Sequence, residues 1–503
     1  MRRAAVTLWL VSLLGCTRVG ASGEIVPTPT LIPSPTPAPE ANTPVVDMPT
    51  LAEAPERPLY VLNVTLDYAA GRVHTQQRLE FANPADRAIQ TVRLSLPPAR
   101  RANAVQVHSV RLFGAPELLR YTLADAVLEV ELPQPLEVGK AIALSLDFTL
   151  NVPPQEIVAG IGGDDTSRGP NSLTCGHWYA LLVPFRNGNW DTPAYAPIGD
   201  PYLSELADYE VSILAPEGVI VAAGGEEARA GRLWRYSLPK ARVFAFSASD
   251  RYIVERAERD GVEFVHYAYP EHRAFAEDVL ITAERAVALF SRLYGPYPYR
   301  ALRIAETDRP QGQEYSGLIG IGSRLYQGYP GYGARHDLIA TTVHETAHQW
   351  WFNVVGNDQI RSPWLDESLA RYGELRFYQE YYPRDVEWWF NYFIIGKDGA
   401  VLRGAIDLGI TDYRDGREYV IAVYRRGLLF MRDLRNRIGG ATLDAALREY
   451  YRRGQDRVAD QDLFFDAIAS QTTQDISDLV RGYFAQPVRL PCRISKGAPS
   501  CRP

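Results

Sequence analysis

Leu338-Ile339-Ala340-Thr341-Thr342-Val343-His344-Glu345-Thr346-Ala347-His348-Gln349-Trp350 is the stretch from which the rest of the chain can be read. Leu338, Ile339 and Val343 recur at helical spacing, and neither Pro nor Gly interrupts Ala334 to Val355, so this span predicts one helix. Positions i and i+4 of a helix share a face, so His344 and His348 can hold one zinc ion between them. Glu345 sits about 100° round the same turn, near the metal but not on it, where it can take a proton from an attacking water. The chain has only 8 histidines. A chance H-E-x-x-H is therefore expected in roughly one of a hundred such chains.

A catalytic zinc site takes three protein ligands and keeps one position open. The third is sought in Ser362-Pro363-Trp364-Leu365-Asp366-Glu367, which reads as a helix start with Ser362 as N-cap and Pro363 at the first helical position. Glu367 lies one turn in, on the side of Ala370 and Glu374. Asp366 is the competing carboxylate, about 100° away on the helix. Glu374, seven residues after Glu367, falls near the same face, where a carboxylate can orient a metal-bound histidine.

His344, Glu345 and His348, followed after eighteen residues by Glu367, resemble the gluzincin aminopeptidases of the alanyl aminopeptidase family, here in a short bacterial lipoprotein form. His348-Gln349-Trp350 and Trp364-Leu365-Asp366-Glu367 match that family's runs. The resemblance implies zinc bound by His344, His348 and Glu367, with Glu345 as general base. Val423-Tyr424-Arg425-Arg426-Gly427 resembles the family's V-Y-x-K-G segment, which implies that Tyr424 donates a hydrogen bond to the transition-state oxyanion. Gln311-Gly312-Gln313-Glu314-Tyr315 resembles the G-x-M-E-N strand, which implies that Glu314 holds the substrate's free amine. The chain departs from the pattern at Gln311, Gln313, Tyr315 and Trp351-Phe352-Asn353, and the amine-holding Glu or Gln of the family's β domain is not recognisable.

Outward from the motif, the chain divides by pattern. Leu62, Val64, Leu66 and Tyr68 alternate with polar residues, as do Val92 to Leu96 and Ile142 to Leu150. Period-two alternation with turns between predicts an N-terminal antiparallel β-sandwich or saddle over 59–252. From Arg251 the pattern turns to mixed strand and helix, predicting an α+β domain over 253–490, which the resemblance implies to be a thermolysin-like zinc peptidase domain, and a tail over 491–503. Cys492 and Cys501 lie close together in the sequence of that tail, and export would permit a disulfide between them. Cys175 reads as a lone buried thiol.

Ahead of the β region, Met1-Arg2-Arg3 and the apolar run Ala4 to Leu14 follow secretory signal grammar, too short for a mature membrane span. Leu13-Leu14-Gly15-Cys16 resembles a bacterial lipobox, which implies a signal over 1–16 and a lipid on Cys16. Ten prolines between Pro27 and Pro58 predict an extended spacer over 17–58. Lipid and spacer place the folded part in the cell envelope, tethered to a membrane by the anchor alone. A net charge of −7 gives no basic surface for nucleic acid. The expected function is a zinc-dependent aminopeptidase acting on peptides. A zinc endopeptidase or other zinc hydrolase, and a non-catalytic envelope binding protein on the same fold, stay open.

Overall fold

Buried Leu62, Val64 and Leu66 alternating with exposed Asn63 and Thr65 make the first strand, β1 (Leu59–Asp67). The same alternation runs through β2 (Arg72–Ala82), β3 (Val105–Leu112), β4 (Ala141–Asn151), β5 (Ala207–Leu214) and β7 (Leu233–Ala241), while the edge strand β6 (Glu226–Ala230) buries none of its residues. These form one seven-stranded sheet in the order β6-β7-β5-β1-β2-β4-β3. Its neighbours are antiparallel apart from β1 and β5, which run in parallel from Leu59↔Asp208 to Thr65↔Leu214. A four-stranded sheet carrying Ile89–Ser95 and Val127–Leu136 shares its apolar cluster, which includes Leu79, Val92, Val130, Leu144 and Trp178. Gln77 enters this core because its amide donates to the Ala180 carbonyl at 2.7 Å and accepts from the Ala180 N–H at 3.1 Å. The computed structural model describes residues 48–155, 165–396 and 399–490, and the backbone of tail strands Ile494–Ser495 and Ala498–Pro499. The signal, Cys16, the spacer up to residue 47 and the Cys492–Cys501 pairing lie outside the described residues. Cys175 is buried and unbridged.

The second part is built on β8 (Ile253–Arg259), β9 (Val262–Ala268), β10 (Ala301–Thr307), β11 (Gln313–Tyr315) and β12 (Leu318–Gly322), ordered β8-β9-β10-β12-β11. Helices α1 (Ala276–Leu293), α2 (Asp337–Ala347), α3 (Trp364–Tyr381) and α4 (Gly427–Ile438) share one large apolar cluster with this sheet. A π-helical segment, Val420–Arg426, leads into α4. The chain from Met48 onward packs as one unit, and polar contacts cross between its parts. Arg242, at the end of β7, is almost wholly buried and donates from Nε to the Asn353 carbonyl at 3.2 Å and from a terminal nitrogen to the Arg457 carbonyl at 2.6 Å. Among the described residues no helix is long and apolar enough to cross a membrane.

Two local expectations are corrected. The helix expected over 334–355 ends at Ala347, with His348 as its C-cap still in helical conformation. Beyond it the N–H groups of Asn353, Val354 and Val355 reach back five residues to the carbonyls of His348, Gln349 and Trp350. Phe352 then reverses the chain at φ 124°, a region that side chains other than glycine rarely occupy. The bulky Trp350 and Trp351 are fully packed at this corner, and the tertiary core outweighs helix continuation. Ser362 makes no side-chain cap either: Pro363 takes the N-cap position, and α3 starts at Trp364.

Trp364 pins the start of α3. It has no exposed surface and meets Phe464, Phe484 and Phe430 edge-on, with ring centroids 5.2, 5.1 and 6.1 Å away. Trp364→Ala is expected to cost about 3–5 kcal/mol of stability, read as a lowered denaturant midpoint with an unchanged slope.

Candidate metal centre

Three helices come together at unusually short range, and small residues let them. A methyl group on Gly373 of α3 would stand 3.1 Å from the Ala347 methyl of α2. A methyl on Gly427, at the start of α4, would collide with the Ser368 hydroxyl of α3 at 1.9 Å. That hydroxyl donates to the Val423 carbonyl in the π-helical segment at 2.7 Å. These close approaches let α2, α3 and the π-helical segment point His344, Glu367 and Tyr424 into one space.

His344 Nε2 and His348 Nε2 stand 3.2 Å apart. Glu367 Oε2 is 3.0 Å from the first and 3.4 Å from the second. Three donors bound to one tetrahedral zinc at 2.0–2.1 Å stand about 3.3 Å from each other, so this triangle fits the ion. The far side of each ring supports the same assignment. His344 Nδ1 lies 2.7 Å from Glu374 Oε1, and His348 Nδ1 lies 3.0 Å from the Trp351 carbonyl. Both partners only accept, so each Nδ1 carries the proton and each Nε2 keeps a lone pair for the metal. Glu374 is itself held by Arg371 at 2.7 Å and by the Trp389 indole N–H at 2.9 Å. Asp366 turns away and accepts the Glu367 backbone N–H at 2.8 Å.

The remaining walls carry more acid. Glu314 on β11 accepts from the Gln359 amide at 3.1 Å and from the Gln313 amide at 3.1 Å. Gln349, one residue beyond His348, binds the β11–β12 hairpin twice: it donates to the Tyr315 carbonyl at 3.0 Å and accepts from the Gly317 N–H at 2.9 Å. The hairpin that carries Glu314 is thus locked to the helix end that carries His348. Glu345 lies against Gly312, where an added methyl would fall 2.0 Å from its carboxylate oxygen. Tyr424 stacks on His344 with ring centroids 5.7 Å apart and lines the same cavity of about 270 Å³.

Asp200 also lines that cavity and was missed from the sequence. It comes from the β part, on a loop that turns at Gly199 (φ 60°) against the Tyr419 ring. Its carboxylate accepts from the same Gln313 amide that holds Glu314, at 3.0 Å, and its oxygens come within 4.8 Å of both Glu314 and Glu367. Gln313 is one of the departures noted above, and here it bridges two carboxylates. The only sequence signal was an acid in Ile198-Gly199-Asp200-Pro201, which is ordinary loop composition.

Charge in this space is unbalanced. Burial pushes Glu345 up to about 7. Burial, then the charge of Glu367, pushes Asp200 up to about 6. Burial and the charge of Asp200 hold Glu314 well above the carboxylate range. Burial would raise Glu367 too, but His348 and bonds from both rings hold it well below. Burial and the Glu367 carboxylate keep the Tyr424 phenol well above its ordinary value, hence protonated and able to donate. Such a set suits a dication on the histidine side and a second cation between Asp200 and Glu314.

Residues 329–483 match the Peptidase family M1 domain. Aminopeptidase N of Lactobacillus helveticus is 27% identical over 247 residues, covering 46% of this chain and 29% of that protein. Aminopeptidase Q of Mus musculus is 25% identical over 99 residues, covering 18% of each. The chain thus spans less than a third of the length of these curated relatives. The M1 zinc metallopeptidase from Deinococcus radiodurans superposes with a TM-score of 0.60 at 17% identity, covering 88% of this chain and 97% of that one. A mutant of that protein bound to a Tyr-Ser-Ala substrate gives a TM-score of 0.61 at 17% identity, covering 87% and 97%. The mostly β first part followed by a largely helical second part is the architecture of these two-domain structures. The donor set of this chain fits zinc, the metal named for those structures.

Removing the carboxylate behind His344 tests the site's support. Glu374→Ala is expected to weaken zinc binding about 10–100-fold, measured by competition with a chromogenic chelator, with the far-UV spectrum unchanged.

Proposed function

We propose that this chain is a zinc-dependent aminopeptidase that releases residues from the N-termini of peptides, with zinc held by His344, His348 and Glu367. The observation that carries the reading is the pairing of a metal-fitting triangle with two buried or half-buried carboxylates, Glu314 and Asp200, on one small cavity. Zinc, when bound, supplies Lewis acidity toward the scissile carbonyl and the attacking water. Glu345 takes the proton of that water and returns it to the leaving nitrogen. Burial holds this carboxyl near neutrality, which suits a group that must accept and then donate.

Tyr424 donates its phenolic proton toward the oxygen that gains charge. Glu314 and Asp200 hold the substrate's ammonium, and the Gln313 and Gln359 amides fix Glu314 for it. A free amine between two carboxylates relieves their mutual repulsion, whereas an internal peptide N–H brings no charge and leaves it in place. We also place the protein in the cell envelope, tethered through Cys16, on the strength of the signal, lipobox and Pro-rich spacer in the sequence.

A panel of aminoacyl fluorogenic substrates, with and without chelator, tests the reading. Cleavage is expected to vanish with chelator and return with zinc. Glu345→Gln should lower kcat by about 10²–10⁴-fold while the bound zinc remains. Free peptides should be cleaved and their N-acetylated forms spared, and Glu314→Gln should erode that preference mainly through KM. Equal cleavage of free and acetylated peptides by the native chain would overturn the amine-holding role.

A further inference from the structure

A second group of metal-ligating side chains lies on the outer face of the seven-stranded sheet, on three adjacent strands: His74 on β2, His108 on β3 and Asp147 on β4. One ligand atom from each lies within 4.8 Å of the other two. The register explains the meeting. His74 faces Thr149 across β2 and β4, and the β3–β4 register slips between Val107, opposite Phe148, and Ser109, opposite Asp147. His108 is the extra residue of that β-bulge, on the edge strand of the sheet, and a bulge re-aims the side chain it carries. Thr149 gathers both rings: its hydroxyl is 3.4 Å from His74 Nδ1 and 2.8 Å from His108 Nε2. The other nitrogen of His74, Nε2, stands 3.7 Å from Asp147 Oδ1.

That Asp147 oxygen is shielded from solvent and has no hydrogen-bond partner. At 3.7 Å it is too far from His74 for a hydrogen bond. Two ligands of one ion, each about 2.0–2.1 Å from it, stand roughly 3–4 Å apart, so the separation fits a shared metal. Two imidazoles and one carboxylate select borderline divalent transition metals over magnesium or calcium, which prefer all-oxygen shells.

We propose that His74, His108 and Asp147 form a second metal site for a divalent ion of the zinc, nickel or copper type, separate from the centre at His344. The ion ties the bulged edge strand β3 to β4 and β2. It binds only where the three strands are in register, so it stabilises the folded sheet. With three protein ligands on an exposed face, at least one coordination position stays open to solvent.

The test counts metal in the full chain after equilibrium dialysis against zinc. The native chain is expected to hold two equivalents, His108→Ala one, Glu367→Ala one, and the double variant none. His108 is exposed and outside the catalytic cavity, so His108→Ala should keep native peptide cleavage. Added zinc should raise the melting temperature of Glu367→Ala and leave that of the double variant unmoved. The proposal is overturned if His108→Ala holds as much zinc as the native chain, or if Glu367→Ala binds none. Failure of the catalytic reading would look different: Glu367→Ala would bind as much as the native chain, and only His108→Ala would lose metal.

Discussion

Acidic side chains crowd two buried imidazoles in one small cavity, and this arrangement demands positive charge. Asp200, Glu314, Glu345 and Glu367 all face it. Two like charges about 4 Å apart repel by roughly 4 kcal/mol even with protein-like screening. The triangle of His344, His348 and Glu367 answers part of that field with a fit for a dication, and the proposed ammonium between Asp200 and Glu314, whose oxygens lie within 4.8 Å of each other, would answer the rest. On the proposed reading, metal affinity and preference for a free amine are two results of one electrostatic imbalance. A change at any of these acids should be felt by the others.

The imbalance is sustained by close backbone packing. Gly427 lets α4 approach α3 to a distance that a methyl group would forbid, Gly373 spares α3 a tight contact with α2, and Gly312 leaves the Glu345 carboxylate its seat. Gln349 joins the end of α2 to the β11–β12 hairpin. The supports of the site are backbone contacts and buried amides, which yield less than exposed side chains do.

The legible parts of the chain are those whose meaning is local. The His344/His348 spacing needs only one helical turn, and the strands of the β part announce themselves every second residue. Glu367 is legible because a helix start follows the motif at short range. The end of α2 at Ala347 is not, since no Gly or Pro marks it and the turn is imposed by the packing of Trp350 and Trp351. Tyr424 stands out only through the segment around it, and nothing near it forecasts the π-helical winding that carries it. Asp200, Gln313 and Gln359 meet only after the β part folds against the helices, so no window of sequence contains their relation. Where the chain departs from its relatives' pattern at Gln313, the structure supplies a physical use, a neutral amide shared by two acids.

The parallel pairing of β1 with β5 has a consequence for biogenesis. Leu59 finds its neighbour at Asp208, so a chain made from its N-terminus must present one side of β1 unsheltered until nearly the whole first part has emerged. Connections of this reach are entropically slow to close, and an open strand edge invites strangers in the meantime. The sheet cannot close around β1 before the segment Ala207–Leu214 arrives.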